Sequence, residues 1–235
     1  MKKTTYFFFQ LLYFPIGWNI AIILGLFVWL LIGLKVIAVK DLHFARQAME
    51  MRKELGGGMG ILSNHPTMWA EIFLTPLIVT FPYFVWRPFH DFPWCTPKSS
   101  LLWLPFIWLW RPLSIKRKKG RPVGVRKYQE QVAYLLHIKK QILNQMPEGG
   151  RTIKGEHEII EINCKRFRKL KRGYFEAATK KDFCEQADPE IVVFLASWMK
   201  VNPGFVWKKI EIAFAEPKRA YQLPPEKLTE VFANL

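Results

Sequence analysis

Two short segments carry the residue types that could do chemistry. One is Asn64-His65-Pro66-Thr67-Met68-Trp69-Ala70-Glu71, which offers a base with a carboxylate close behind it. The other is Pro147-Glu148-Gly149-Gly150-Arg151-Thr152, a glycine-rich turn with an acid on one side and a cation on the other. A neutral imidazole, with an ordinary pKa of about 6.5, suits the removal of a proton from an alcohol. The residue before a proline is held extended, so His65 belongs in a loop and not in a helix. Glu71 then falls about a turn into the following helix. From there its carboxylate can reach back, fix the imidazole tautomer and stabilise the imidazolium. In the second segment, Gly149 and Gly150 allow close backbone approach to a ligand. Arg151 can grip a phosphate or carboxylate with two parallel hydrogen bonds. Together the segments read as a site that activates a hydroxyl beside a phosphate. Taken singly, the first also fits a core histidine near a surface glutamate, and the second a turn with a surface ion pair.

These side chains need elements to hold them. Residues 41–55 read as a charged helix that stops at Gly56-Gly57-Gly58, and residues 59–63 as a short buried strand leading to His65. Pro66 suits the first turn of a helix. Prolines 76, 82, 88 and 93 punctuate residues 72–94, which predicts short pieces there and no long helix. Residues 101–110 form an apolar block too short to span a bilayer. A basic loop is expected over 116–127 and a helix over 128–140. A strand over 142–146 should run into the second segment. A helix over 174–186 and strands over 191–196 and 210–214 follow. Strands alternating with helices predict an α/β fold with a central mixed sheet flanked by helices.

The bulk numbers narrow the partners. The chain has 235 residues, half of them apolar and 15% aromatic, enough for one sizeable domain with a real core. Its formal net charge is +16, from 35 Lys and Arg against 19 Asp and Glu. That charge suits nucleic acid, anionic lipid or an anionic substrate. Ten tryptophans and 19 phenylalanines favour lipid. No nucleic-acid motif accompanies the charge, so no nucleic-acid partner is expected. Lys116-Arg117-Lys118-Lys119 and residues 165–172, with six basic side chains in eight, are candidate headgroup contacts. His90-Asp91 is set aside, because neighbours on an extended segment point to opposite faces. Cys95, Cys164 and Cys184 are far apart and form neither a disulfide framework nor a metal pattern, which suits a reducing compartment.

Residues 4–34 contain no charged side chain. Pro15-Ile16-Gly17-Trp18-Asn19 is expected to break a helix there. Residues 1–40 then form an anchor ahead of a domain over 41–235. The anchor is either an interfacial helix followed by one span near 19–38, or a re-entrant hairpin. Basic residues on both flanks favour the hairpin, with both ends on the cytoplasmic side.

The two segments, in this order, resemble the glycerophospholipid acyltransferase superfamily, which includes lysophosphatidate and glycerol-3-phosphate acyltransferases. Its first motif usually has the form N-H-x-x-x-x-D and its third F-P-E-G-T-R-S. Here the acid is Glu71 after a spacer of five residues, and Gly150 stands where the threonine is usual. Ser114-Ile115-Lys116-Arg117 matches the place of the second motif. The stretch 209–217 looks like the family's late strand ending in Glu-Pro. The resemblance covers roughly residues 55–220 and implies an O-acyltransferase, which the uncharged N-terminal run and its basic flanks would hold at a membrane with its site on the cytoplasmic face. His65 and Glu71 would be catalytic. Asn64, Arg117, Glu148, Gly149, Gly150, Arg151 and Thr152 would bind substrate. The apolar block 101–110 is a candidate wall for the acyl chain. The donor would be acyl-CoA or acyl-carrier protein, with no metal and no further cofactor. The acceptor would be a lysophospholipid or glycerol-3-phosphate, surrounded by membrane phospholipids. An ornithine lipid or glycolipid precursor is the alternative acceptor, and an inactive membrane-binding relative is the alternative from another class.

Overall fold

The computed structural model describes residues 3–64, 70–96, 107, 110–113, 116–118, 121–147, 159–162, 165–168, 170–202 and 209–235. Among these, helix α1 (Lys3–Gly33) is followed by β1 (Ile37–Lys40), α2 (Leu42–Leu55) and β2 (Met59–Ser63). Then come α3 (Ala70–Thr80), α4 (Tyr83–Trp86), α5 (Pro88–Asp91), β3 (Trp94–Cys95), and a hairpin of β4 (Lys116–Lys118) and β5 (Arg121–Val123). Helix α6 (Val125–Ala133) continues as a π-turn over Tyr134–Ile138 into β6 (Ile142–Gln145). A second hairpin, β7 (Ile159–Ile162) and β8 (Lys165–Arg168), precedes α7 (Gly173–Thr179). The chain ends with β9 (Val193–Asn202), β10 (Lys209–Phe214), β11 (Lys218–Arg219) and α8 (Pro225–Asn234).

The fold is mixed α/β, as the alternation of elements predicts. Seven strands form the central sheet in the order β1-β10-β9-β2-β6-β3, with β11 beside β9. Strands β3, β6, β2 and β9 run parallel, so their carboxyl ends share one edge. Strand β10 lies antiparallel to β9. Strand β2 is buried on both faces. Its Met59 and Ile61 join the core under α1, α2 and α3, while Leu62 joins the core under α6, α7 and α8. Gly60 lies where a Cβ would meet the Tyr174 hydroxyl at 2.6 Å and the Phe194 ring at 2.9 Å, so any larger residue there pushes α7 or β9 away. Gly56 ends α2 in the left-handed region at φ 61°, with its N–H on the Arg52 and Lys53 carbonyls.

A buried ion pair ties α2 to α5 and to the chain just before β6. Arg52 Nη1 donates to Asp91 Oδ1 at 2.6 Å, and its Nη2 reaches the carbonyls of His90 and Lys140. Burial pulls the Arg52 pKa down and the Asp91 hydrogen bond opposes it. Asp91 is therefore structural, and His90 beside it is exposed.

Several local expectations give way to packing. Helix α1 runs unbroken through Pro15, where a break was expected, and does not turn back at residues 15–19. The lost backbone bond is offset on both sides of the proline. Phe14 stacks on Phe89 with centroids 5.0 Å apart, and Trp18 Nε1 donates to the Phe84 carbonyl at 3.1 Å. Helix α3 likewise contains Pro76 within 11 residues, because Leu77, Ile78 and Val79 are wholly buried in the core. The basic stretch expected as a loop forms the β4–β5 hairpin, and α6 begins already at Val125. The helix expected to reach residue 186 ends at Thr179 in α7, followed by a single 3-10 turn over Lys181–Phe183. Strand β9 extends beyond the expected 196 to Asn202, because β10 gives it a second partner.

His137 sits on the π-turn, 3% exposed, and its Nδ1 accepts the Asp188 backbone N–H at 3.2 Å. Burial pushes its pKa below 6.5, against the opposing pull of the α7 backbone at Ala177 and Ala178. The unfolded chain then binds the proton more readily than the folded one. Stability should be complete above pH 6.5 and fall as the pH drops below it. Thermal melting in detergent between pH 7.5 and 5 should show that fall, and His137→Gln should flatten it.

Candidate active site

The parallel pairing of β2 with β6 sets the geometry of the candidate site. Leu62 lies opposite Gln145 across that pair. The first chemical segment leaves the end of β2 and the second leaves the end of β6. Their starting points are therefore one strand spacing apart, about 4.8 Å. Open α/β sheets take their ligands at this carboxyl edge. Sequence reading placed each segment after a strand, but it did not make the two strands neighbours.

Asn64 fixes the exit from β2. It is 1% exposed. Its Nδ2 donates to the Met199 carbonyl at 2.9 Å, and its Oδ1 accepts the Met199 N–H at 2.7 Å. The side-chain amide thereby mimics one more residue pair of the β2–β9 ladder. One residue earlier, the Ser63 and Ser197 hydroxyls meet at 2.8 Å. These bonds hold the backbone from which His65 springs. Asn64 was expected to bind substrate; here both ends of its amide are engaged with Met199.

The end of β6 is fixed by a second polar group. Gln145 Oε1 accepts from Thr96 Oγ1 at 2.8 Å and from the Tyr128 hydroxyl at 2.9 Å. This ties the ends of β3 and β6 to α6. Tyr128 is buried, and desolvation pushes its pKa well above the usual phenol range. Burial also pushes the Cys95 thiol, beside this group, up to about 12. Neither group ionises near neutral pH, so both act here as neutral structural groups. Sequence reading missed Ser63, Ser197, Gln145 and Tyr128. The signal available was the pair Asn144-Gln145 closing an apolar strand at the sheet's functional edge.

The remaining expected residues stand as follows. Glu71 is the second residue of α3, with its side chain outside the described residues. Arg117 lies in β4 opposite Pro122, in a hairpin separate from the main sheet, and its side chain also lies outside the described residues. His65, Glu148, Gly149, Gly150, Arg151 and Thr152 lie outside the described residues. Of the apolar block 101–110, Ile107 and Trp110 are described and buried. Trp110 packs in the core between Phe73 and Phe92, with centroids at 4.9 and 5.7 Å. Of the late strand, β10 forms as expected and pairs with β1 and β9. Comparison with known proteins names no family: no family model matches the chain, and no curated protein matches its sequence.

Replacing Asn64 with leucine keeps the branching and the number of side-chain heavy atoms and removes both bonds to Met199. A buried backbone group left without a partner costs about 1–3 kcal/mol. Asn64→Leu should lower the denaturation midpoint accordingly, and Asn64→Gln should not restore it, because the longer chain cannot hold the same register. A midpoint equal to wild type would show that water or a neighbour replaces the amide.

Proposed function

We propose that this chain is a membrane-bound O-acyltransferase, moving a fatty acyl group from a thioester donor to the hydroxyl of a phosphate-bearing lipid acceptor. The observation that carries the reading is the departure of the two chemical segments from adjacent parallel strands, β2 and β6. A base with a carboxylate, and a glycine-rich turn with an arginine, thus start side by side at the edge where such folds hold ligands. The segments also resemble the first and third motifs of the glycerophospholipid acyltransferases.

In this reading His65 takes the proton from the acceptor hydroxyl while Glu71 orients the ring. The oxygen attacks the thioester carbonyl, a C–O bond forms, and the C–S bond breaks. His65 then returns the proton to the departing thiolate. Polar groups of the Glu148-Gly149-Gly150 turn, with Thr152, hold the acceptor and stabilise the oxyanion. Arg117 and Arg151 bind its phosphate. Acyl-CoA or acyl-carrier protein serves as donor. The cytoplasmic face is the proposed location, from the basic residues that flank α1 on both sides.

His65→Ala should lower turnover by about 10²–10⁴-fold, the usual contribution of general-base catalysis, while the protein stays folded and membrane-bound. Near wild-type turnover would sink the assignment. Glu71→Gln should lose less, since orientation is partly retained by an amide.

Arg117→Ala and Arg151→Ala should each raise KM for a phosphate-bearing acceptor about 10- to 150-fold, the equivalent of 1.5–3 kcal/mol for a charge-assisted bond. KM for the donor should change little. Steady-state kinetics with each substrate varied separates the two, and a rise confined to the donor would remove both arginines from the phosphate site.

A further inference from the structure

Helix α1 has two opposite faces, and the protein occupies only one. Gly17, Ala21, Gly25 and Val28 recur at the helical period and are buried. They face the body of the protein, where α1 packs on α3 and a Cβ on Gly25 would collide with the Phe81 ring at 2.6 Å. The opposite face carries Leu12, Ile16, Ile23, Phe27 and Leu30, all exposed. Phe89 of α5 stacks on Phe14 at the edge of the docked face and is itself 66% exposed. By length and composition, Leu11–Gly33 could cross a membrane.

The docked face argues against a crossing. The Arg111 guanidinium lies 5.3 Å over Phe14, and that of Arg46 lies 4.9 Å over Trp29. Arg46 also donates to the Phe81 carbonyl at 2.8 Å, so it is fixed there. Positions 14 and 29 are about 22 Å apart along the axis. Both fall within Leu11–Gly33, and the hydrocarbon layer is about 30 Å thick. An upright α1 would therefore carry both guanidiniums into the hydrocarbon, together with α4, α5 and the flank of the sheet. Each charge placed there opposes insertion. Laid flat, the helix sinks its free face into the acyl-chain boundary and leaves Arg46 and Arg111 on its protein side, at headgroup level.

We infer that α1 lies in the plane of one leaflet, as an interfacial helix whose free face is covered by lipid. The occupant is a bilayer, and neither a second copy of the chain nor a span through the membrane. A face this long that is apolar except for Asn19, whose Nδ2 is taken up by the Pro15 carbonyl at 2.8 Å, beside a chain of charge +16, matches an anionic lipid surface. The inference rests on the membrane attachment in the proposed function and not on acyl transfer, so its failure leaves the catalytic assay untouched.

Spin labels test it on the full chain. Leu12→Cys, Ile23→Cys and Leu30→Cys would each carry a nitroxide, on a background with Cys164→Ser and Cys184→Ser and with the buried Cys95 left in place. The protein would be bound to vesicles of phosphatidylcholine and phosphatidylglycerol. Collision rates with oxygen and with a water-soluble nickel chelate then give the depth of each label. An in-plane helix gives three equal, shallow depths in oxygen-accessible lipid. A span gives a label at 23 far deeper than those at 12 and 30, which overturns the inference. Dipolar broadening between chains with little oxygen contact would show a second copy on this face, and would overturn it equally.

Discussion

The central constraint is that β2 must be buried on both faces and paired on both edges. Its neighbours β6 and β9 run parallel to it, and its five residues are closed off from solvent. A strand in that position needs apolar side chains where two cores meet it and no side chain where a partner comes close. Met59, Ile61 and Leu62 meet the first need, and Gly60 under Tyr174 and Phe194 meets the second. The polar residues begin at the end of the strand. Ser63 and Asn64 are still inside, but each is bonded to β9. His65 is the next residue along, so the candidate base starts from a backbone fixed by the most buried strand of the sheet.

The same logic fixes the second segment. Strand β6 is held at its end by Gln145, which joins Thr96 after β3 and Tyr128 on α6. The glycine-rich turn therefore starts from a rigid point beside β2. A site assembled this way needs little from its own loops, because its two halves are brought to one strand spacing by backbone pairing. The proposed chemistry, with a base from one strand and an anion grip from the next, depends on this arrangement.

Much of this was legible in the sequence where local rules and packing agree. Helix α2, its stop at Gly56, and strands β2 and β6 follow from periodicity and glycine chemistry. Where tertiary contacts outweigh a local rule, the sequence misleads. Pro15 and Pro76 do not break their helices, because Phe14, Trp18 and the buried Leu77–Val79 stretch hold both sides in place. The β4–β5 hairpin hides in a stretch whose basic composition reads as a loop. The partner of Asn64 is 135 residues away, so no local pattern announces the bond. The identity of the two chemical segments was readable from residue types, but their adjacency depends on strand order, which no spacing encodes.

The most direct test of the central claim is a product assay with the purified protein in lipid vesicles. It would receive an acyl-CoA and a mixture of lysophosphatidate, glycerol-3-phosphate and phosphate-free hydroxyl lipids, with products read by mass spectrometry. One acyl ester on a phosphate-bearing acceptor is expected for each free CoA released. CoA release without an acylated acceptor, or acylation confined to phosphate-free acceptors, would contradict it.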